Sequence, residues 1–178
     1  MTTLRYGLLF LSMWSSGCSI LVGSVKPMEE KAVNSPTDGF PGRTAGWRKL
    51  EIESSAQSHT DIPDAAWKST LTSSVISINS VCDRSKKRNR ESLKSVTQTL
   101  LSQWDRLRVV GESQHTLSGF PALSTIAEGM YSGESRKFKI TIVKSPTCIY
   151  DLVLVSPTES FERDLSVFQS FHDNLNLK

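Results

Sequence analysis

The sequence predicts an α+β domain, an antiparallel sheet flanked by helices, and three observations carry that prediction. Apolar residues alternate with polar ones in several segments of strand length. Two other segments place apolar residues at helical spacing, one early in the run of strands and one at its end. Short turn signals separate most of the strand candidates, so neighbours are joined by hairpins rather than by crossover helices.

The elements follow in order. Residues 74–81 read SVISINSV, with Ile76 and Ile78 alternating against Ser77 and Asn79, as in a half-buried strand. Cys82 falls at its end, in phase with the two isoleucines. Over 91–107 the positions Leu93, Val96, Leu100, Trp104 and Leu107 form one apolar stripe, which predicts a helix. Strands are expected over 108–117, 122–131 and 137–143, the last with Phe138, Ile140 and Ile142 in alternation. Gly119 to Pro121 breaks the first pair, and Ser132, Gly133 and Glu134 supply a hairpin turn for the second. A final strand, CIYDLVLV, occupies 148–155. It runs into Ser156, Pro157, Thr158 and Glu159, the spacing of a capping box, which predicts that a helix begins there. Its stripe is Phe161, Leu165, Phe168 and Phe171 or His172, so it closes the domain against the sheet.

The N-terminus is organised differently. Arg5 opens it, an apolar stretch runs from Tyr6 to Trp14, and Ser15, Ser16 and Gly17 precede Cys18. These are the parts of an export leader, and the apolar stretch is too short to cross a bilayer, which takes about 20 residues. A small residue just before a cysteine resembles the signal peptide of bacterial lipoproteins. That resemblance implies cleavage after Gly17 and a diacylglyceryl group on the sulfur of Cys18. The family has Leu three residues before the cysteine where this chain has Ser15, which leaves open ordinary cleavage with Cys18 in the discarded peptide. Ser19, rather than Asp, follows Cys18, and within the family this implies the outer membrane, facing the periplasm. Several acyl chains anchor a protein far better than one. Residues 1–17 thus read as the leader and 18–46, with Gly23, Pro27, Pro36, Gly39, Pro41, Gly42 and Gly46, as a flexible tether. Residues 47–178 are the size of one domain.

Charge excludes little. The formal net charge of +3 becomes +2 when Arg5 leaves with the leader. The one local bias is the run Arg84, Lys86, Lys87, Arg88 and Arg90. It could touch anionic lipid head groups or an acidic partner, or it is a solvated loop. No aromatic residues interleave with it, so nucleic acid is not an expected partner.

The order of helix, strand meander, a strand opening on a cysteine and an aromatic (TCIYDLVLVSP) and a Phe-rich last helix (SFERDLSVFQSF) is similar to the α/β/α sandwich of PsbP, the extrinsic protein of photosystem II, and its bacterial relatives. More closely it resembles bacterial lipoproteins of that type. The resemblance spans about residues 47–171 and implies a small accessory protein of an envelope or lumen, without enzymatic activity. It carries over no functional residue.

With Cys18 lipidated, Cys82 and Cys148 form an even pair in an oxidising compartment, and a disulfide is expected between them. The alternative is two separate buried thiols. No catalytic residue and no metal site is expected. His59, His115 and His172 are scattered without metal-ligand spacing, and there is no nucleophile elbow, phosphate loop or dinucleotide fingerprint. No cofactor is expected beyond the covalent lipid on Cys18. Asp151 is the one acid on an apolar strand, read as a satisfied carboxylate sharing a face with Ile149, Val153 and Val155. Two functional classes follow. One is a non-enzymatic accessory that binds or scaffolds another envelope protein. The other is a small-ligand carrier or hydrolase working in a cleft between sheet and helices.

Overall fold

The computed structural model describes residues 46–52, 63–82, 91–102, 104, 106–131 and 133–177. They form a seven-stranded antiparallel sheet with one helix on each face, so the expected α+β sandwich is the fold. The elements run β1 Trp47–Lys49, β2 Ala65–Ser69, β3 Val75–Cys82, α1 Leu93–Leu101, β4 Arg108–Leu117, β5 Phe120–Tyr131, β6 Glu134–Lys144, β7 Cys148–Pro157 and α2 Phe161–Asp173, the last preceded by a single 3-10 turn. The sheet order is β1-β2-β3-β7-β6-β5-β4. Two meanders, β1 to β3 and β4 to β7, are therefore joined along the β3–β7 ladder.

Strand alternation sorts the core into two layers. On one face Tyr150, Leu152 and Leu154 of β7 meet Ile76 and Ile78 of β3, Trp67 of β2, and Phe161, Phe168 and Phe171 of α2. On the other face Phe138, Ile140 and Ile142 of β6, with Ile149, Val153 and Val155 of β7, receive Leu100 and Leu101 of α1. Phe138, Phe161, Phe168 and Phe171 are fully buried. Each such ring contributes roughly 2–3 kcal/mol from water exclusion.

Three local expectations are corrected. The helix predicted over 91–107 is only Leu93–Leu101. Its N-cap is Ser92, whose hydroxyl accepts the Ser95 amide at 3.1 Å. The chain then turns, and Arg106 takes a left-handed conformation, φ 53°, so β4 can start. Trp104 and Leu107 still join the stripe's layer, because Trp104 lies edge-on against Phe138 with ring centroids 4.3 Å apart. Secondly, the capping box does not form. Ser156 and Pro157 finish β7, and α2 starts at Phe161 without a side-chain cap. The Ser156 hydroxyl instead bonds the Asp164 carboxylate at 3.2 Å. Thirdly, Pro121 lies within β5, opposite Thr116. The turn is Ser118 and Gly119, at φ 51° and 81°, a two-residue loop with both φ positive, as a primed hairpin turn requires. β1 and β2, by contrast, carry no expectation from the sequence. β2 buries Ala65, Ala66 and Trp67 in succession, so it shows no alternation to read.

β4 is the outer strand, and its side chains are exposed along most of its length. The register shifts between Val109 and Gly111, and Val109 and Val110 are both exposed.

Candidate functional site

Cys82 and Cys148 are register partners at one end of the β3–β7 ladder and are joined by a disulfide. Cys18 and the basic run Arg84, Lys86, Lys87, Arg88 and Arg90 lie outside the described residues.

Two polar groupings stand out on the sheet, one on each face. On the α2 face β4 presents His115, whose backbone pairs with Ala122 of β5. The last turn of α2 presents His172, which is only 6% exposed. Amphipathic spacing brings His172 here. It follows the buried Phe168 by one helical turn, and the Phe168 ring lies behind it at 6.3 Å between centroids. The two imidazoles meet with Nε2 atoms 3.3 Å apart and ring centroids at 5.4 Å. On its other side, His172 Nδ1 lies 2.8 Å from the Asp173 carboxylate, which also accepts from Gln169 Nε2 at 2.8 Å. A carboxylate only accepts, so Nδ1 is the donor in this contact, and Nε2 is the nitrogen that faces His115.

Charge is unevenly supplied around the pair. Burial pushes the His115 pKa down, a backbone hydrogen bond from the ring to Ser113 opposes that, and His172 and Lys139 lower it further while Asp173 acts against them. Burial also lowers Lys139, on β6. Asp173 is held below the usual carboxylate range, chiefly by its bond to His172. The sequence reading missed this meeting because the two histidines are 57 positions apart. The signal was present in part, since His172 shares the last position of the α2 stripe.

On the α1 face, Asp151 of β7 sits between Asn79 of β3 and Ile142 of β6. It shares that face with Ile149, Val153 and Val155, as the alternation requires. Asn79 Nδ2 donates to its Oδ2 at 3.3 Å. Burial, against the Asn79 hydrogen bond and with a smaller push from Asp64, raises its pKa to about 7. Asp64 itself is raised by burial, against the Ser80 hydroxyl that donates to it at 2.5 Å. Among the described residues, no three His, Cys, Asp or Glu side chains converge as a metal-ligand set, and no helix is long and apolar enough to cross a membrane.

Comparison with known proteins supports the fold. No protein-family model matches the chain, and no curated protein matches it in sequence. Among solved structures, it is similar to cyanobacterial PsbP (CyanoP) from Synechocystis sp. PCC 6803, with a TM-score of 0.56 and 10% identity over 75% of this chain and 83% of that one. It is also similar to LpqN of Mycobacterium tuberculosis, a protein involved in cell envelope biogenesis, with a TM-score of 0.51 and 14% identity over 72% of this chain and 76% of LpqN. The shared architecture is the PsbP-like sandwich.

Proposed function

We propose that this chain is a non-enzymatic accessory protein of the bacterial envelope. Its leader, 1–17, exports it. Cys18 carries the lipid, 18–46 is the tether, and the domain that begins at 47 works at the periplasmic side of the outer membrane, beside another envelope protein. The observation that carries this reading is the Cys82–Cys148 disulfide. Such bonds persist in oxidising compartments, which agrees with an export leader, and the bridge leaves Cys18 as the odd cysteine, free for acylation. The likeness of fold to LpqN, described as involved in cell envelope biogenesis, supports the same compartment. The run Arg84 to Arg90, close in sequence to Cys82, suits contact with anionic head groups beneath the anchor.

The test is fractionation combined with intact mass. The native protein is expected in the membrane fraction with the mass of its acyl chains. Cys18→Ser should lose that mass and move to the soluble periplasmic fraction. Membrane association unchanged in Cys18→Ser would overturn the anchor.

A further inference from the structure

The histidine pair has a geometry that a pair of core imidazoles does not need. In His172 Nδ1 donates to the Asp173 carboxylate, and Nε2 points at His115. His115 presents its own Nε2 to that nitrogen. The two nitrogens stand 3.3 Å apart. A gap of that length is bridged either by a proton or by a metal ion. Two imidazole nitrogens bound to one tetrahedral ion at about 2.0–2.1 Å lie about 3.3–3.4 Å apart, which is the separation found.

We infer that His115 and His172 form a two-histidine site for a late first-row divalent ion, Zn(II) or Cu(II), with solvent completing the coordination. Imidazole nitrogen suits these ions. Asp173 is not a ligand here but a positioning residue. By holding Nδ1–H it orients the His172 ring, as carboxylates behind metal-bound histidines do. Gln169 in turn holds Asp173. The groups facing the pair are Asp173 and Gln169 from α2 and Lys139 from β6. Lys139 is the opposing charge, and burial already disfavours its charged form. Phe168 closes the inner side. The inference does not depend on the lipid anchor or on the envelope reading.

The experiment uses the full disulfide-bonded chain, stripped of metal by chelation and titrated with zinc or copper(II) chloride by calorimetry. One equivalent is expected to bind with micromolar affinity. The copper(II) electron paramagnetic resonance spectrum should show coupling to two imidazole nitrogens. His115→Asn and His172→Gln should each weaken binding at least ~10-fold, and Asp173→Asn should weaken it by about 10-fold while the two-nitrogen signature is kept. His59→Ala should leave both readouts unchanged. Circular dichroism checks that the variants fold. If His172→Gln does not fold, the part-exposed His115 position decides alone. Failure to bind either ion below about millimolar concentration would overturn the inference and leave a shared proton between the rings. So would one-equivalent binding that survives His115→Asn.

Discussion

Asp151 is the residue whose surroundings are most at odds with its chemistry. Strand alternation turns it to the α1 face among Ile149, Val153 and Ile142, and its polar partner there is the amide of Asn79 at 3.3 Å. Burial is the largest cause of its rise to about 7, so in the native state it holds its proton to much higher pH than in the unfolded chain. Between about pH 4 and 7 the native state therefore binds more protons, and the contribution of Asp151 to stability falls as pH rises through that window. Asp64 acts in the same direction. His115 acts in the opposite one, because its lowered pKa costs stability as pH falls. The test is thus a difference between proteins. Asp151→Asn keeps the shape and cannot ionise, so above pH 7 it should be more stable than the native chain by roughly 2 kcal/mol. The full shift corresponds to about 4 kcal/mol, and the solvent that still reaches the carboxyl reduces it. Below pH 4 the two should converge. Urea midpoints at pH 3.5, 6 and 8 measure this, and a constant difference across the series would refute it.

At the scale of elements, α2 is held at its two ends by different chemistry. Its apolar stripe of Phe161, Phe168 and Phe171 supplies the burial, and its first turn is pinned by Asp164, which is buried although charged. Asp164 Oδ2 accepts from Ser74 at 2.5 Å and Ser156 at 3.2 Å, so one carboxylate ties the helix to β3 and β7 together. Thr72 extends the network to Ser74 at 2.9 Å. Replacing Asp164 with Ala removes the acceptor that two buried hydroxyls share, leaving them only each other, Thr72 and the Pro157 carbonyl, and should cost about 2 kcal/mol. Ser92→Ala at the exposed cap of α1 should cost only about 1 kcal/mol. Chemical denaturation of both variants checks the order, and a larger loss for Ser92→Ala would contradict it. These same elements show what could be read from the chain. β3, β4 and β7 are legible because one face is apolar or the turn residues bound them, and the α2 stripe because its period is clear. The capping box was misread because Ser156 serves two neighbours distant in sequence, Ser74 and Asp164, and no local pattern encodes that. α1 was overextended because Trp104 keeps the helical phase while packing on Phe138 from beyond the helix. The His115–His172 contact was invisible for a related reason: it depends on where the edge strand and the last helical turn meet.

For the whole molecule the decisive feature is the seam between the two meanders. α1 packs on Ala127, Phe138, Ile140 and Ile142 and on one row of β7, so it belongs to the second meander. α2 instead spans the seam, touching Trp67, Ile76 and Ile78 on one side and Leu152 and Leu154 on the other. The Cys82–Cys148 bond closes the seam covalently at its open end, across a sequence separation of 66. Closing a loop of that length removes entropy from the unfolded chain worth roughly 4 kcal/mol. The paired Cys82→Ser, Cys148→Ser variant should therefore lose about that much stability. It should still fold, because the eight register pairs of the ladder and the apolar row under α2 remain. Its denaturation midpoint should be insensitive to reductant, whereas the native chain under reductant should fall to the same midpoint. Near-UV circular dichroism at 25 °C should be retained in both. A native midpoint unmoved by reductant would show that β3 and β7 hold the seam without the bridge. Loss of the near-UV signal on reduction would show the reverse, that the ladder and α2 cannot hold it alone.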